Sequence, residues 1–240
     1  MKKILLVWLV LSLTLVSLGA QKALVIGNAG YALKPLKHPV LDSQLIDSTL
    51  VSIGFQVSRH SNLSETAFKT TLASFANGIG EKDLALFYFS GQAIQLDGAT
   101  YLLPTGTAYA DAAAVKKGAI ELSALINQIN KGVATLVFID ASRANPNVAF
   151  RLPKTGLAPP PSKMPAKVFL MYSTAPNTVL TEGMATFGNF ASLLRQALLV
   201  PERSLGQIGT EVIDGVKDLT DQKQIPTVYN SISGDLIINA

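Results

Sequence analysis

Two short polar segments follow the most apolar runs of the sequence. Ser90-Gly91-Gln92 comes directly after residues 84–89, and Asp140 and Ser142 follow residues 135–139. If both runs are parallel strands of one sheet, the segments meet at its carboxyl edge, where α/β proteins bind ligands. A carboxylate there can bind a cation through charge-assisted hydrogen bonds, and a serine can act as nucleophile if a general base takes its proton. The alternative is that both segments are ordinary turns at strand ends.

The composition excludes several kinds of chemistry. The 240 residues include no cysteine and two histidines, His38 and His60. Disulfides, thiolate metal sites and a cysteine nucleophile are therefore excluded, and no nucleotide-binding or zinc-binding motif is present, so we expect no metal and no cofactor. A net charge of +4 is too weak to indicate nucleic acid binding. With 48% hydrophobic and 15% charged residues, the sequence predicts a packed globular protein.

Residues 1–20 have the pattern of a secretory signal peptide. Lys2 and Lys3 precede an uncharged run at 4–18, and small residues end the segment at Ala20. The run is short for a membrane span. We therefore expect an exported protein, periplasmic or secreted, in which residues 21–240 form one domain. The alternative is an uncleaved anchor, which would be the chain's only contact with a membrane.

Apolar runs alternate with amphipathic stretches along the rest of the chain. The predicted strands lie at 23–26, 55–58, 84–89, 135–139, 167–172 and 236–238, with a small hairpin around 100–103. The predicted helices begin at Pro39 and after Ser64 and also cover 121–130, 187–199 and 207–219. In the first helix, the residues predicted to face the core are Leu41, Leu45, Thr49 (or Leu50) and Ile53. This alternation indicates an α/β fold with a mostly parallel sheet.

An irregular stretch at 141–166 interrupts the alternation. It contains six prolines, including Pro159-Pro160-Pro161, and several basic residues but no Asp or Glu. Loops of this length are usually functional or disordered. One interpretation is a solvated loop stiffened by proline, and the other is a segment that docks a partner or is processed.

Several segments carry recognisable motifs in a fixed order along the chain. They are Ala-Leu-Val-Ile-Gly-Asn-Ala-Gly-Tyr at 23–31, Pro35-Leu36 up to Asp42, 86–91 with 101–104, Phe-Ile-Asp-Ala-Ser-Arg-Ala-Asn-Pro at 138–146, 173–176 and 225–235. Together they resemble the caspase-like (metacaspase-like) cysteine peptidases in their bacterial secreted form. The resemblance implies a three-layer α/β sandwich, in which helices cover both faces of a mostly parallel six-stranded sheet.

Both catalytic positions implied by this resemblance are substituted. The family's histidine falls on Gln92, the glycine after it on Ala93, and its cysteine on Ser142. An amide cannot act as a general base, and Ala93 puts the oxyanion hole in doubt. Losing the base alone costs roughly 10²–10⁴ in rate, and losing the nucleophile with it on the order of 10⁶. Of the two histidines, His38 falls near the rim of the site, where a surface position is the simpler interpretation, and His60 is expected on the surface.

The resemblance also implies a pocket for an Arg or Lys side chain, and its residues are retained. They correspond to Asp42, Ser90 and Asp140. Two carboxylates that converge on one pocket would favour a cationic side chain. The alternative is that Asp42 only favours the helix dipole and Asp140 only orders its own loop.

Three functions remain open from the sequence. The first is a pseudo-peptidase that binds or scaffolds a protein or peptide with basic residues. The second is a hydrolase rebuilt on Ser142, which requires His38 or a carboxylate as its base. The third is an envelope interaction protein that binds through residues 141–166. The oligomeric state, the partner and any response to Ca²⁺ are not predicted.

Overall fold

A mostly parallel β-sheet is the framework of the protein. The computed structural model describes residues 19–106, 111–142, 154–160, 164–180 and 182–239. Nearly all of the leader and half of the predicted 141–166 loop therefore lie outside the described residues. The described strands are β1 (Gln21–Gly27), β2 (Gln56–Ser61), β3 (Leu84–Leu96), β4 (Ala99–Leu102), β5 (Ile120–Glu121), β6 (Ala134–Ser142), β7 (Val168–Tyr172) and β8 (Thr227–Asn230).

Six of these strands form the main sheet in the order β2-β1-β3-β6-β7-β8. The first five are parallel, β8 is antiparallel to β7, and β4 pairs antiparallel with the end of β3. Every residue of β3 and β6 is buried, which fits their near-continuous apolar sequences and their place at the centre of the sheet.

Helices cover both faces of this sheet. They are α1 (Pro39–Ser52), α2 (Glu65–Asn77), α3 (Ala112–Gly118), α4 (Leu122–Ile129), α5 (Asn189–Leu199) and α6 (Leu205–Leu219). One apolar cluster joins α2 and α4 to one face, and a second joins α1, α5 and α6 to the other. This arrangement confirms the predicted three-layer α/β sandwich. None of the helices in the described ranges is long and apolar enough to cross a membrane.

The ends of several elements differ from the sequence prediction. The strand predicted at 236–238 is wrong, because β8 closes the sheet and Ile237 forms only an isolated bridge with Ser204. β3 and β6 also continue past their predicted ends, since β4 gives the end of β3 a further partner. Leu41 was predicted to face the core but is exposed, because the buried side of α1 follows Asp42, Ile46 and Leu50.

The described part of the 141–166 stretch packs against the sheet. Residues 141 and 142 belong to β6, so the irregular segment begins later than predicted. Leu157 and Ala158 are buried, and the Ala158 N–H donates to Thr100 Oγ1 at 3.0 Å. Gln95 Nε2 donates to the Thr155 carbonyl. Residues 156–158 do not fit the interpretation as a solvated loop, because they are buried beside the β3–β4 hairpin, whereas Lys154, Thr155 and Pro159 are exposed.

Candidate functional site

Asp42, Ser90 and Asp140 lie together at the carboxyl edge of the parallel strands. Ser90 of β3 and Asp140 of β6 are directly paired in register. Asp42 lies in the first turn of α1, and its Oδ2 is 3.5 Å from Ser90 Oγ. All three residues are buried. The fold therefore assembles the three residues that the sequence singled out as a pocket.

Gly188, directly before α5, lies against both carboxylates. Its N–H donates to Asp42 Oδ1 at 2.8 Å. A Cβ atom on Gly188 would lie 3.0 Å from Asp42 Oδ2 and 3.4 Å from Asp140 Oδ2. The Oδ2 atoms of Asp42 and Asp140 are thus close enough together for one cationic group to contact both, once Gly188 is displaced from the space between them.

A small cavity adjoins Asp140. His38, Glu182, Phe187 and Gln224 contribute to its wall, and its volume is about 30 Å³. This is the space open to the centre of a water-sized sphere, so the cavity has room for a few water molecules. The expectation that His38 is a surface residue is wrong, because it is 5% exposed and lines this cavity. Its Nδ1 is 3.9 Å from Glu182 Oε1.

Gln92 holds a loop in place at the position of the expected histidine. Its Nε2 donates to the Lys34 carbonyl at 2.6 Å, and its backbone N–H donates to the Tyr31 hydroxyl at 2.9 Å. Its side chain is buried, and its Oε1 has no hydrogen-bond partner among the described residues. The amide nitrogen carries no lone pair that could take a proton at ordinary pH, so Gln92 is a structural residue in this geometry.

Ser142 is fully buried at the position of the expected cysteine. Its hydroxyl donates to the Thr178 carbonyl, and its own carbonyl accepts from the Leu180 N–H at 2.9 Å. An amide carbonyl accepts a hydrogen bond but does not remove the proton, so this contact does not activate the hydroxyl. Instead, Ser142 fastens residues 178–180 over the end of β6.

The two remaining candidate positions lie inside the sheet or far from the site. Ala93 is within β3, between its pairing partners Leu102 of β4 and Ser142 of β6. His60 lies on the edge strand β2, where its Nε2 is 2.9 Å from Ser58 Oγ. Two strands separate β2 from β6 in the sheet, so His60 is not a base for Ser142.

Sequence reasoning missed Glu182 and Gly188. The Glu182 carboxylate accepts from the N–H groups of Lys37 and His38, which are more than 140 residues earlier in the chain. The available signal was that Glu182 ends a long stretch without acidic residues, from 141 to 181. Within the described ranges, no group of three or more His, Cys, Asp and Glu side chains is arranged to hold a metal ion.

Comparison with known proteins gives one family. The model of the caspase domain matches residues 20–237. Among solved structures, caspase-1 from Spodoptera frugiperda superimposes with a TM-score of 0.65 and 17% sequence identity, over 92% of this chain and 90% of that chain. At that identity the likeness concerns the fold alone. Among curated protein sequences, none matches this chain significantly.

Proposed function

Because the chain belongs to the caspase domain family, we propose that it is a member without peptidase activity that binds a basic side chain of a partner protein. The binding residues are Asp42, Ser90 and Asp140. The observation that carries the proposal is the pair of buried carboxylates that can reach one point beside Gly188. Beside them, the two positions that would hold the dyad are a glutamine and a serine.

The geometry of Gln92 and Ser142 supports inactivity. Gln92 donates its side-chain amide to the Lys34 carbonyl, and Ser142 donates its hydroxyl to the Thr178 carbonyl. Hydrolysis through Ser142 would require its proton to move to a base, and Gln92 cannot accept it. The second candidate, a hydrolase rebuilt on Ser142 with His38 or a carboxylate as base, is not favoured, because the Ser142 hydroxyl donates to the Thr178 carbonyl and His38 Nδ1 lies 3.9 Å from Glu182 Oε1.

The chemistry of two nearby carboxylates supports a cationic ligand. A buried carboxylate is strongly stabilised when a partner charge and hydrogen-bond donors reach it. A guanidinium presents five N–H donors in a planar fork, and an ammonium presents three, so either group can contact both carboxylates. We therefore assign the site to an arginine or lysine side chain within a protein or peptide segment.

Peptide binding tests the proposal directly. A fluorescent peptide with one arginine between glycines should bind the protein, and the same peptide with glutamine in place of arginine should not. Asp42→Asn and Asp140→Asn should each weaken binding by about 10-fold to 100-fold, the loss expected for one charge-assisted hydrogen bond. The matched control is Asp47→Asn, which removes a carboxylate of α1 that pairs with Arg59. Equal binding of both peptides, or no effect of either Asp42 or Asp140, would contradict the assignment.

A turnover assay tests the absence of peptidase activity. Arg- and Lys-terminated fluorogenic peptides should not be hydrolysed, with or without Ca²⁺. Hydrolysis that Ser142→Ala abolishes would instead establish the rebuilt hydrolase. Deletion of residues 152–165 tests the third candidate, an envelope protein that binds its partner through residues 141–166. Binding through this loop would be favoured if the deletion abolishes partner capture while replacement of both Asp42 and Asp140 by alanine does not.

We also propose that the protein is exported and that residues 1–20 are removed. The support is the sequence pattern of the leader together with the first strand, which begins at Gln21. Trp8 is the one tryptophan of the chain, so the exported protein should show tyrosine emission alone. Tryptophan emission from protein recovered outside the cytoplasm would mean that the leader is retained.

A further inference from the structure

A short segment crosses the mouth of the cavity beside Asp140. We call residues 182–188 the strap. Among the described residues, its hydrogen bonds lie at its two ends, at Glu182 and at Gly188. Residues 183–186 between them are exposed, and Met184 is 97% exposed. The strap is therefore held at its two ends, and between them Phe187 is half-buried in the cavity wall while residues 183–186 are exposed.

The strap is held at its first end by the Glu182 carboxylate, which lies at the N-terminus of α1. Glu182 accepts from the Lys37 N–H, at 3.0 and 2.9 Å to its two oxygens, and from the His38 N–H at 3.1 Å. His38 is the N-cap residue of α1 and makes no side-chain cap of its own. The positive end of the helix dipole favours an anion here, so Glu182 supplies the missing cap from a distant part of the chain.

At its second end, Gly188 contacts the two carboxylates that the proposed ligand would bind. The Gly188 N–H donates to Asp42 Oδ1, and the Gly188 Cα brings the strap against Asp140 as well. A cation that is bound by both carboxylates would need the space that the strap occupies, and the cavity beneath the strap holds about 30 Å³. The closed strap and a bound basic side chain therefore exclude one another.

We propose that the strap is a gate over the acidic pocket and that Glu182 is its latch. The proposal rests on the proposed function, because it names what controls access to the same site. Only the open state binds the basic side chain, so the apparent affinity is the intrinsic affinity multiplied by the open fraction. Removal of the latch raises that fraction and tightens binding, even though it removes a negative charge close to the pocket.

Glu182→Ala tests the latch by amide exchange. The loss of the carboxylate removes charge-assisted bonds to two N–H groups, so the Gly188 amide should exchange at least about 10-fold faster than in the unchanged protein. The control is Glu81→Ala, which removes an exposed carboxylate just before β3, at the opposite edge of the sheet. Glu182→Gln keeps the shape of the side chain and should change exchange in the same direction, by a smaller factor. Unchanged exchange at Gly188 in both Glu182 variants would overturn the proposal.

Binding of the arginine peptide supplies the second arm. Glu182→Ala should tighten binding by about 10-fold, and Glu81→Ala should leave it unchanged. Weaker binding by Glu182→Ala would mean that Glu182 is itself a ligand of the cation, and it would overturn the latch. If no variant binds the peptide while the Gly188 amide exchanges faster in Glu182→Ala, the proposed function fails and the latch stands. If the peptide binds through Asp42 and Asp140 but exchange is unchanged, the latch fails alone.

Discussion

Gly188→Ala should destabilise the closed strap without straining the local backbone. Gly188 has φ −63° and ψ 145°, which alanine adopts without strain. The new methyl group would lie 3.0 Å from Asp42 Oδ2 and 3.4 Å from Asp140 Oδ2 in the closed strap. The carboxylates or the strap must therefore move by a few tenths of an ångström, which favours the open strap.

The effect on stability is the difference between two opposing contributions. Overpacking of a buried site costs about 1–3 kcal/mol, and a glycine-to-alanine change at an ordinary φ returns about 0.4–1 kcal/mol through the unfolded chain. The net loss in the free energy of unfolding is about 1 kcal/mol, which lowers the Tm by roughly 2–4 °C for a domain of this size. The affinity for the arginine peptide should rise by about 5-fold, because a loss of about 1 kcal/mol that falls on the closed strap raises the open fraction.

Calorimetric titration with the arginine peptide and thermal unfolding are the two assays. Gly183→Ala is the matched control, since a Cβ on Gly183 meets nothing within 4 Å although it lies on the same strap. It should change neither the affinity nor the Tm. If Gly188→Ala binds the peptide no more tightly than the unchanged protein does, the closed strap does not compete with the cation, and the reasoning about the pocket is refuted.

Two further predictions concern stability and accessibility. Lys22 and the Gly80 N–H hold the pKa of Asp83 below its usual range. The carboxylate therefore stabilises the fold above about pH 4 and loses that effect as the pH falls through its lowered pKa. In urea unfolding, Asp83→Asn should lower the free energy of unfolding by about 2 kcal/mol at pH 7, with a smaller difference in acid. Ser142→Cys introduces a single thiol into a chain without cysteine. Because Ser142 is fully buried, this thiol should react slowly with a disulfide reagent. The control is Ser48→Cys, whose exposed thiol should react far faster. Equal rates for the two thiols would reopen the case for chemistry at position 142, and an unchanged unfolding curve for Asp83→Asn would show that its hydrogen bonds do not stabilise the fold.

The central elements could be predicted because their signals are local. The apolar residues of β1, β3, β6 and β7 are consecutive, as required for strands buried on both faces. Helix starts were equally local: Pro39 begins α1, and Ser64 caps α2 by accepting from the Ala67 N–H. Such features need information from only a few neighbouring residues.

Residues 236–238 show why apolar character alone does not predict a strand. Residues 236–238 are more apolar than β8, yet Ile238 is buried in the cluster that joins α5 and α6 to the sheet, without joining a strand ladder. The Leu205 N–H donates to the Leu236 carbonyl at 2.9 Å, so this segment packs at the start of α6. Hydrophobic burial is non-directional, and a helix satisfies it as well as a strand does. The sequence therefore predicted that the segment is buried but not which element it contacts.

Only part of the pocket could be predicted, because some of its contacts join residues that are far apart along the chain. The residues Ser90 and Asp140 follow apolar runs and could be assigned to one sheet edge from sequence. The contacts of Glu182 with Lys37 and His38 join positions more than 140 residues apart, and nothing local to either segment indicates them. The burial of His38 has the same origin, since Glu182 and the strap cover it.

Gln92 and Ser142, at the positions expected for the dyad, connect the loops that border the pocket. Gln92 donates to the Lys34 carbonyl in the loop before α1, and Ser142 donates to the Thr178 carbonyl in the loop before the strap. Glu182 then joins the same two loops, through the N–H groups of Lys37 and His38. Loss of catalytic groups and closure of the acidic pocket are therefore physically linked. A histidine at 92 would have to replace the amide donor that holds the first loop, and a cysteine at 142 is a weaker donor to the second. A histidine at 92 together with a cysteine at 142 would therefore loosen both borders of the pocket and favour the open strap.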